Sequence, residues 1–180
     1  PKVVDKDQKD WSKDPGEMAR KDLIAINAIL FLNKTSIKTA KTKDIENKKE
    51  LEIRFWSVIN SLKFFGEKGA KTKTILAQSV VLKAIAKLVY AFAFNKQTKD
   101  EKALADLFRK IKTINFSHSN KLWNYYNLSQ KEKKEFDGLD SYLPLISGGN
   151  RDMGKVESGY MRFNIRHNDV APLIGDMIRF

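Results

Sequence analysis

The stretch Thr72–Phe94, TKTILAQSVVLKAIAKLVYAFAF, decides the fold, because it is apolar on almost every side of a helix. A helix that is apolar nearly all round is buried against several neighbours. Its longest uninterrupted apolar run, Leu88–Phe94, is far shorter than the ~20 residues that a membrane span needs. We therefore predict a mainly α fold built around this central buried helix, and no membrane segment.

Three more helices are expected around the central one, over residues 17–33, 44–65 and 98–114, because apolar residues recur there at helical spacing. The first should end near Asn33, and the third should begin at a Thr98 cap. The second has Asp44 as a candidate N-cap and Gly66 as a candidate C-cap. The side chains expected to face the core are Leu23, Ile26, Ile29, Leu30, Leu51, Phe55, Val58, Ile59, Leu62, Leu104, Leu107, Phe108 and Ile111.

The helical pattern breaks after Pro144, where a glycine-rich segment begins. Alternating polar and apolar residues over 160–166 predict a short strand. A terminal helix should follow, capped by Asn168 or Asp169 and with Pro172 in its first turn. We therefore predict one helical domain over residues 18–180, with a partly extended segment before its C-terminal helix, preceded by a polar arm or linker end over 1–17.

The composition favours a polyanionic partner. Lys and Arg number 34 against 22 Asp and Glu, a net charge of +12 that attracts phosphate without regard to sequence. The chain has no cysteine, which excludes disulfides, Cys-ligated zinc, iron–sulfur clusters and thiol nucleophiles. We expect DNA as the partner; the alternative is a lysine-rich surface that only meets solvent.

The candidate DNA contacts fall into two groups. An ordered group lies on glycine-permitted turns and the short strand, where guanidinium forks can converge on phosphate: Arg151, Lys155, Arg162 and Arg166, with His167 beside them. A diffuse group lies in basic connections between helices: Lys38, Lys41, Lys43, Lys71 and Lys73. The alternative for the arginines is structural, with Arg151 or Arg166 paired to Asp152, Asp169 or Asp176 to fasten the last helix.

The sequence offers little for catalysis. GEKGAKTKT at 66–74 lacks the spacing of a phosphate-binding P-loop, and we expect a flexible connection with its lysines in solvent. Asp152 and Glu157 could serve a metal-dependent nuclease, but with Lys155 between them they reverse the usual acid-x-Lys order. His118 and His167 lack companion ligands, so no metal, cofactor or catalytic residue is predicted.

The aromatic residues Trp123, Tyr125 and Tyr126 lie among basic residues and could stack unpaired bases. Anchoring of a short helix, by Trp123 and one of the tyrosines, is the favoured interpretation because aromatic side chains dominate core burial.

Several sequence motifs occur in the same order as in a known group of proteins. RFWSVINSL, KTILAQSVVLKAIAKLVY, INFSHSNKLW, NRDMG and RFNIRHNDVAPLIGDMIRF resemble, over about residues 20–180, the C-terminal half of the DGQHR-domain group, which includes DndB-like DNA sulfur-modification proteins. The five-residue signature that names the group is absent here. Positions that match the group form a shared site or a structural clasp: Arg151, Asp152, Arg166, His167, Asn168, Asp169, Asp176 and Arg179.

The resemblance implies a bacterial protein tied to DNA phosphorothioation, which binds DNA or regulates its own operon. The charged N-terminus has no apolar signal region, so we expect a cytoplasmic location. Because the chain begins at Pro1, we expect it to be a piece of something longer. The alternative function is a helical module that docks on the rest of that longer chain or on an acidic protein partner.

Overall fold

The computed structural model describes residues 1–38, 40–46, 48–94, 101–136, 153–164 and 166–179. These residues form eight α-helices and two small sheets. The helices are α1 (Arg20–Leu32), α2 (Thr42–Glu46), α3 (Lys49–Asn60), α4 (Ala70–Lys73), α5 (Ser79–Phe94), α6 (Glu101–Ile111), α7 (Gln130–Lys133) and α8 (His167–Arg179). The strands are β1 (Val3–Val4), β2 (Met18–Ala19), β3 (Gly154–Glu157) and β4 (Tyr160–Phe163). The prediction of a mainly α fold is confirmed.

Helix α5 lies at the centre of the molecule. It packs against α1 and α8, and less extensively against α6. Val81, Ile85 and Val89 on α5 are fully buried, as the apolar sequence predicts. Among the described residues no helix is long and apolar enough to cross a membrane.

The helix predicted from Thr72 is interrupted near its start. Helix α4 ends at Lys73, Thr74 is extended, and a 3₁₀ turn over Ile75–Ala77 precedes α5. The Thr74 hydroxyl donates to the Phe116 carbonyl at 3.1 Å and accepts from the Leu76 N–H at 3.3 Å. Threonine side chains compete in this way with helical backbone bonds, so the long prediction was wrong at its N-terminal end.

The flanking helices follow the sequence with one exception. Helix α1 ends at Leu32, and its C-cap Asn33 adopts the left-handed conformation. Helix α6 buries the four residues predicted for its inner face. Thr98 lies outside the described residues. The helix predicted over 44–65 is instead divided into α2 and α3, with Asp44 inside α2 and α3 ending at Asn60. Asp44 is therefore not the N-cap that we predicted.

The N-terminal segment, predicted as a polar arm, contacts the helical body. Strand β1 pairs in parallel with β2, and Val3 lies opposite Met18. Asp14 is 2% exposed, and its carboxylate accepts the backbone N–H groups of Gly16 at 3.1 Å and Lys71 at 2.8 Å. The division of the chain at residue 17 stays a prediction.

The extended segment before the last helix is an antiparallel hairpin of β3 and β4. Gly154 has φ +100°, and a Cβ there would lie 2.0 Å from the Arg162 carbonyl oxygen, so only glycine fits. Helix α8 begins at His167, before the predicted caps, which puts Pro172 in its second turn rather than its first. Val170, Leu173 and Ile174 are buried in the core.

Candidate nucleic-acid interface

Two of the predicted contact residues lie opposite each other on the hairpin. Lys155 on β3 pairs in register with Arg162 on β4. Glu157 lies between them, with its carboxylate 2.8 Å from the Lys155 ammonium and 3.3 Å from Arg162 Nε. The hydrogen bond from Lys155 lowers the pKa of Glu157, and the same contact raises the pKa of Lys155. Both cations keep part of their surface in solvent.

The Arg162 guanidinium lies over an aromatic ring from the N-terminal segment. Its Cζ atom is 4.2 Å from the centroid of Trp11. Trp11 in turn contacts His118 and Tyr160, at centroid distances of 5.9 and 6.2 Å. Stacking orders a guanidinium while leaving most of its N–H donors available. The sequence pointed to Arg162 but gave no sign that Trp11 would support it.

His118 is part of the framework beneath this cluster. Its Nε2 atom lies 3.0 Å from the Lys71 carbonyl oxygen, to which it donates. Burial lowers the pKa of His118, although the carbonyls of Lys71 and Met161 act in the opposite direction. The ring is therefore neutral near pH 7, and it links the loop at 118 to α4.

The start of α8 gathers further positive charge. Arg166 is exposed one residue before the helix, and His167 is half-buried. Burial lowers the pKa of His167, and the neighbouring ammonium groups of Lys87 and Lys83 lower it further. His167 is thus a neutral hydrogen-bonding group near pH 7, while Lys87 donates to the Asn168 side chain.

Lys83 and Lys87 were missed by the sequence interpretation, which assigned α5 to the core as a whole. Lys83 bonds Asp22 of α1 at 2.8 Å, and Lys87 reaches α8. The signal was a polar stripe, because Ser79, Lys83 and Lys87 recur every four residues along an otherwise apolar helix.

Within the described part of the chain, no ion pair supports the alternative that Arg166 fastens the last helix. Arg166 has no carboxylate partner there, and its carbonyl accepts the Asp169 N–H at 3.0 Å. Arg151 and Asp152 lie outside the described residues, as does the side chain of Arg179.

The diffuse lysine group divides into exposed and buried members. Lys38, Lys41, Lys43 and Lys73 are exposed. Lys71 is 4% exposed, and its ammonium lies 2.6 Å from the Asp7 carboxylate and also donates to the Gln8 carbonyl. The expectation that Lys71 lies in solvent was wrong.

The aromatic residues after residue 120 serve the core. Trp123 and Tyr125 are 0% and 1% exposed, which confirms the favoured anchoring interpretation. Trp123 Nε1 donates to the Asn115 carbonyl at 2.9 Å, and its ring stacks on Phe116. The ring faces of Trp123 and Tyr125 are therefore unavailable to a nucleobase.

Carboxylates and histidines do not gather into a metal site within the described ranges, where no group of three His, Cys, Asp or Glu side chains converges. Glu157 contacts two cations instead. Asp152, its suggested partner in cation binding, lies outside those ranges.

Comparison with known proteins gives one match. A family model described as DndB, DNA-sulfur modification-associated, matches residues 3–160. No curated protein and no solved structure matches. The matched region includes the N-terminal segment that the resemblance had left out, and it ends inside the hairpin, before Arg162, Arg166 and His167. Since the match covers most of the chain, the protein belongs to the DndB family of DNA-sulfur modification-associated proteins.

Proposed function

We propose that this protein binds DNA through the cationic surface formed by the hairpin and the start of α8. Arg162 and Arg166 are its central residues, Lys155 flanks them on β3, and the exposed lysines elsewhere add diffuse attraction. The family supports a role in a DNA-modification system, in which DNA is the expected polyanion. We further propose that binding regulates that system in the bacterial cytoplasm, without catalysis by this chain.

The observation that carries the proposal is the order imposed on Arg162. Its guanidinium is stacked on Trp11 and its Nε lies 3.3 Å from the Glu157 carboxylate, so these contacts favour one conformation before any ligand arrives. A pre-organised guanidinium gives up less side-chain entropy when it binds a phosphate. Four residues further on, Arg166 is exposed beside the N-terminus of α8, where the helix dipole also favours an anion.

The test is an anisotropy titration of a labelled random-sequence duplex at several salt concentrations. We expect wild-type affinity to fall linearly in a log–log plot, with a slope of about −0.9 for each phosphate neutralised. The double substitution Arg162→Ala, Arg166→Ala should weaken binding and make the slope shallower by roughly two such units.

A matched control removes the same charge elsewhere. Lys49 and Lys131 are exposed on α3 and α7, and their double substitution to alanine leaves the hairpin intact. This control should lose much less affinity than the arginine variant. Equal losses of affinity in both variants would mean that net charge alone, and not the arginine positions, governs binding. Absence of binding by the wild type at low salt would refute the proposal.

A second candidate function is docking on an acidic protein, and one observation favours it. Ile53 is 69% exposed and borders an open groove of about 440 Å³ with Val58 and Phe108. Arg54 and Arg109 also line the groove and are paired with Glu101 and Asp106, so an acidic partner would compete with these carboxylates for them. Co-sedimentation with the other proteins of the modification system tests this function. Ile53→Asp should abolish the association and leave duplex binding unchanged.

A further inference from the structure

A cavity of about 370 Å³ has a lining that does not include the hairpin arginines. Its walls come from the turn after α3, from residues 73–76, and from the loop at 112–117. The volume falls within the range of about 300–1,000 Å³ that is typical of small-molecule sites. The buried side chains of Leu62, Leu76 and Phe116 give it an apolar floor.

Three lysines line this cavity: Lys63, Lys73 and Lys112. All three are exposed. The ammonium groups of Lys63 and Lys73 lie 4.7 and 5.4 Å from the centroid of the same ring, that of Phe64. Both ammonium groups therefore lie beside the ring of Phe64, which also lines the cavity.

Little negative charge offsets these lysines. Within the described residues, Lys63 and Lys112 have no carboxylate partner, and the nearest one to Lys73 is Glu67 at 3.9 Å. Elsewhere the fold pairs its less exposed lysines closely, Lys71 with Asp7 and Lys83 with Asp22, at 2.6 and 2.8 Å. Uncompensated positive charge around a concave surface concentrates anions there.

The cavity walls are fixed before any ligand binds. The Asn115 carbonyl accepts hydrogen bonds from Trp123 Nε1 and from the Asn120 side chain, both at 2.9 Å. The Phe116 carbonyl accepts from the Ile75 N–H at 3.0 Å and from the Thr74 hydroxyl at 3.1 Å. A rigid, preformed site loses little entropy when it takes up a ligand.

We propose that this cavity binds a nucleoside 5′-phosphate, either free or as the terminal nucleotide of a nucleic acid strand. The phosphate would contact Lys63, Lys73 and Lys112, because lysine ammonium groups bind phosphate as point charges. The nucleoside would lie on the apolar floor, where a flat base buries its faces. The cavity lining does not include Lys155, Arg162 or Arg166, so this proposal does not require duplex binding at the hairpin.

The experiment is calorimetric titration of the full chain with AMP, CMP, GMP and UMP, and with the matching nucleosides and inorganic phosphate as separate probes. We expect at least one nucleotide to bind more tightly than either its nucleoside or phosphate alone. The substitution Lys63→Ala, Lys112→Ala should weaken that binding at least about tenfold, since each lost ionic contact is worth roughly that factor. The control Lys49→Ala, Lys131→Ala should bind as the wild type does.

Two further arms identify the source of the ligand. A single-stranded oligonucleotide with a 5′-phosphate is compared with the same strand lacking it, and AMP is tested as a competitor. Preference for the phosphorylated strand, removed by the Lys63/Lys112 variant, assigns the site to strand ends, whereas nucleotide binding without that preference assigns it to free nucleotides. The proposal is overturned if no nucleotide binds at about millimolar concentration, or if the lysine variant and its control bind equally. Arg162→Ala, Arg166→Ala should retain nucleotide binding, which separates this result from failure of the duplex proposal.

Discussion

Two lysines on the same short helix, α4, have opposite environments. The Lys71 side chain is 5% exposed and its ammonium is paired with Asp7, whereas Lys73 is 43% exposed and its nearest carboxylate is 3.9 Å away. Lys71 joins the N-terminal segment to the helical body. Lys73 contributes its charge to the rim of a cavity. The two residues are alike in sequence context, so charge counts alone do not separate a structural lysine from one available to a ligand.

The difference shows which of the positive charges behind the net +12 are available to bind an anion. A buried ammonium must be paired, because desolvation without a partner is costly. An exposed ammonium keeps its hydration, and the fold need not supply a carboxylate. The region around Lys71 should therefore respond to substitution through stability, and the region around Lys73 through ligand binding.

The largest change in stability is expected in the buried region around Lys71. Asp14→Ala removes the acceptor of the Lys71 and Gly16 N–H groups, both of which then lack a partner in a buried site. We expect a loss of about 3 kcal/mol in the free energy of unfolding, measured by urea denaturation. Asp5→Ala removes an exposed pair with Arg20 and serves as the control, with a loss below about 1 kcal/mol. Similar losses in both would contradict the importance of the buried contact.

The next effect compares the two lysines directly. Lys71→Met keeps the aliphatic volume but loses the bonds to Asp7 and Gln8, and should cost about 1–2 kcal/mol of unfolding free energy. Lys73→Met should change stability by less than about 0.5 kcal/mol. Thermal and urea unfolding of the two variants measure both values. Equal stability would show that Lys71 does not anchor the N-terminal segment.

The third prediction concerns the pH dependence of stability, which depends on the partly buried histidines His118 and His167. Burial lowers the pKa values of His118 and His167 in the folded state, so the unfolded chain binds more protons once the pH falls through the ordinary histidine pKa. Stability should therefore decrease as pH is lowered from about 7.5 to about 5. Urea unfolding across that range measures the slope. His118→Gln should flatten it, and an unchanged slope in that variant would exclude His118 as a source.

The smallest effect lies on the exposed side. Lys63→Ala, Lys112→Ala removes two exposed like charges from the cavity lining, so the unfolding free energy should stay constant or rise by a few tenths of a kcal/mol. Any gain should vanish at high salt because exposed charges are screened. A large loss of stability would instead mean that these lysines support the fold.

Much of the helical framework could be predicted from the sequence. The apolar residues of α5 and the spacing of Leu104, Leu107, Phe108 and Ile111 on α6 follow from helical periodicity, a local property. The break in the helix at Thr74 was not predictable from local sequence. It depends on the hydrogen bond from Thr74 to Phe116, which lies 42 residues further along the chain. Alternation predicted the strand that became β4, but neither its pairing with β3 nor the support of Arg162 by Trp11 was predicted.

The candidate site was predictable only in part. Its residue types, exposed Arg and Lys on a glycine-rich strand, were visible in the chain, whereas the ordering of Arg162 by Trp11 and Glu157 depends on contacts between distant segments. No sequence pattern predicted the lysine cavity, because Lys63, Lys73 and Lys112 come from three separate segments of the chain.

The sequence by itself determined the helical class, the central position of α5, the anchoring of Trp123 and the excess of positive charge. These follow from composition and short-range periodicity, which do not depend on contacts between distant segments. Only the tertiary structure decided which cations are paired and which are free to meet an anion. That choice depends on whether packing brings a carboxylate from a distant segment within reach, as it does for Lys71 and does not for Lys112.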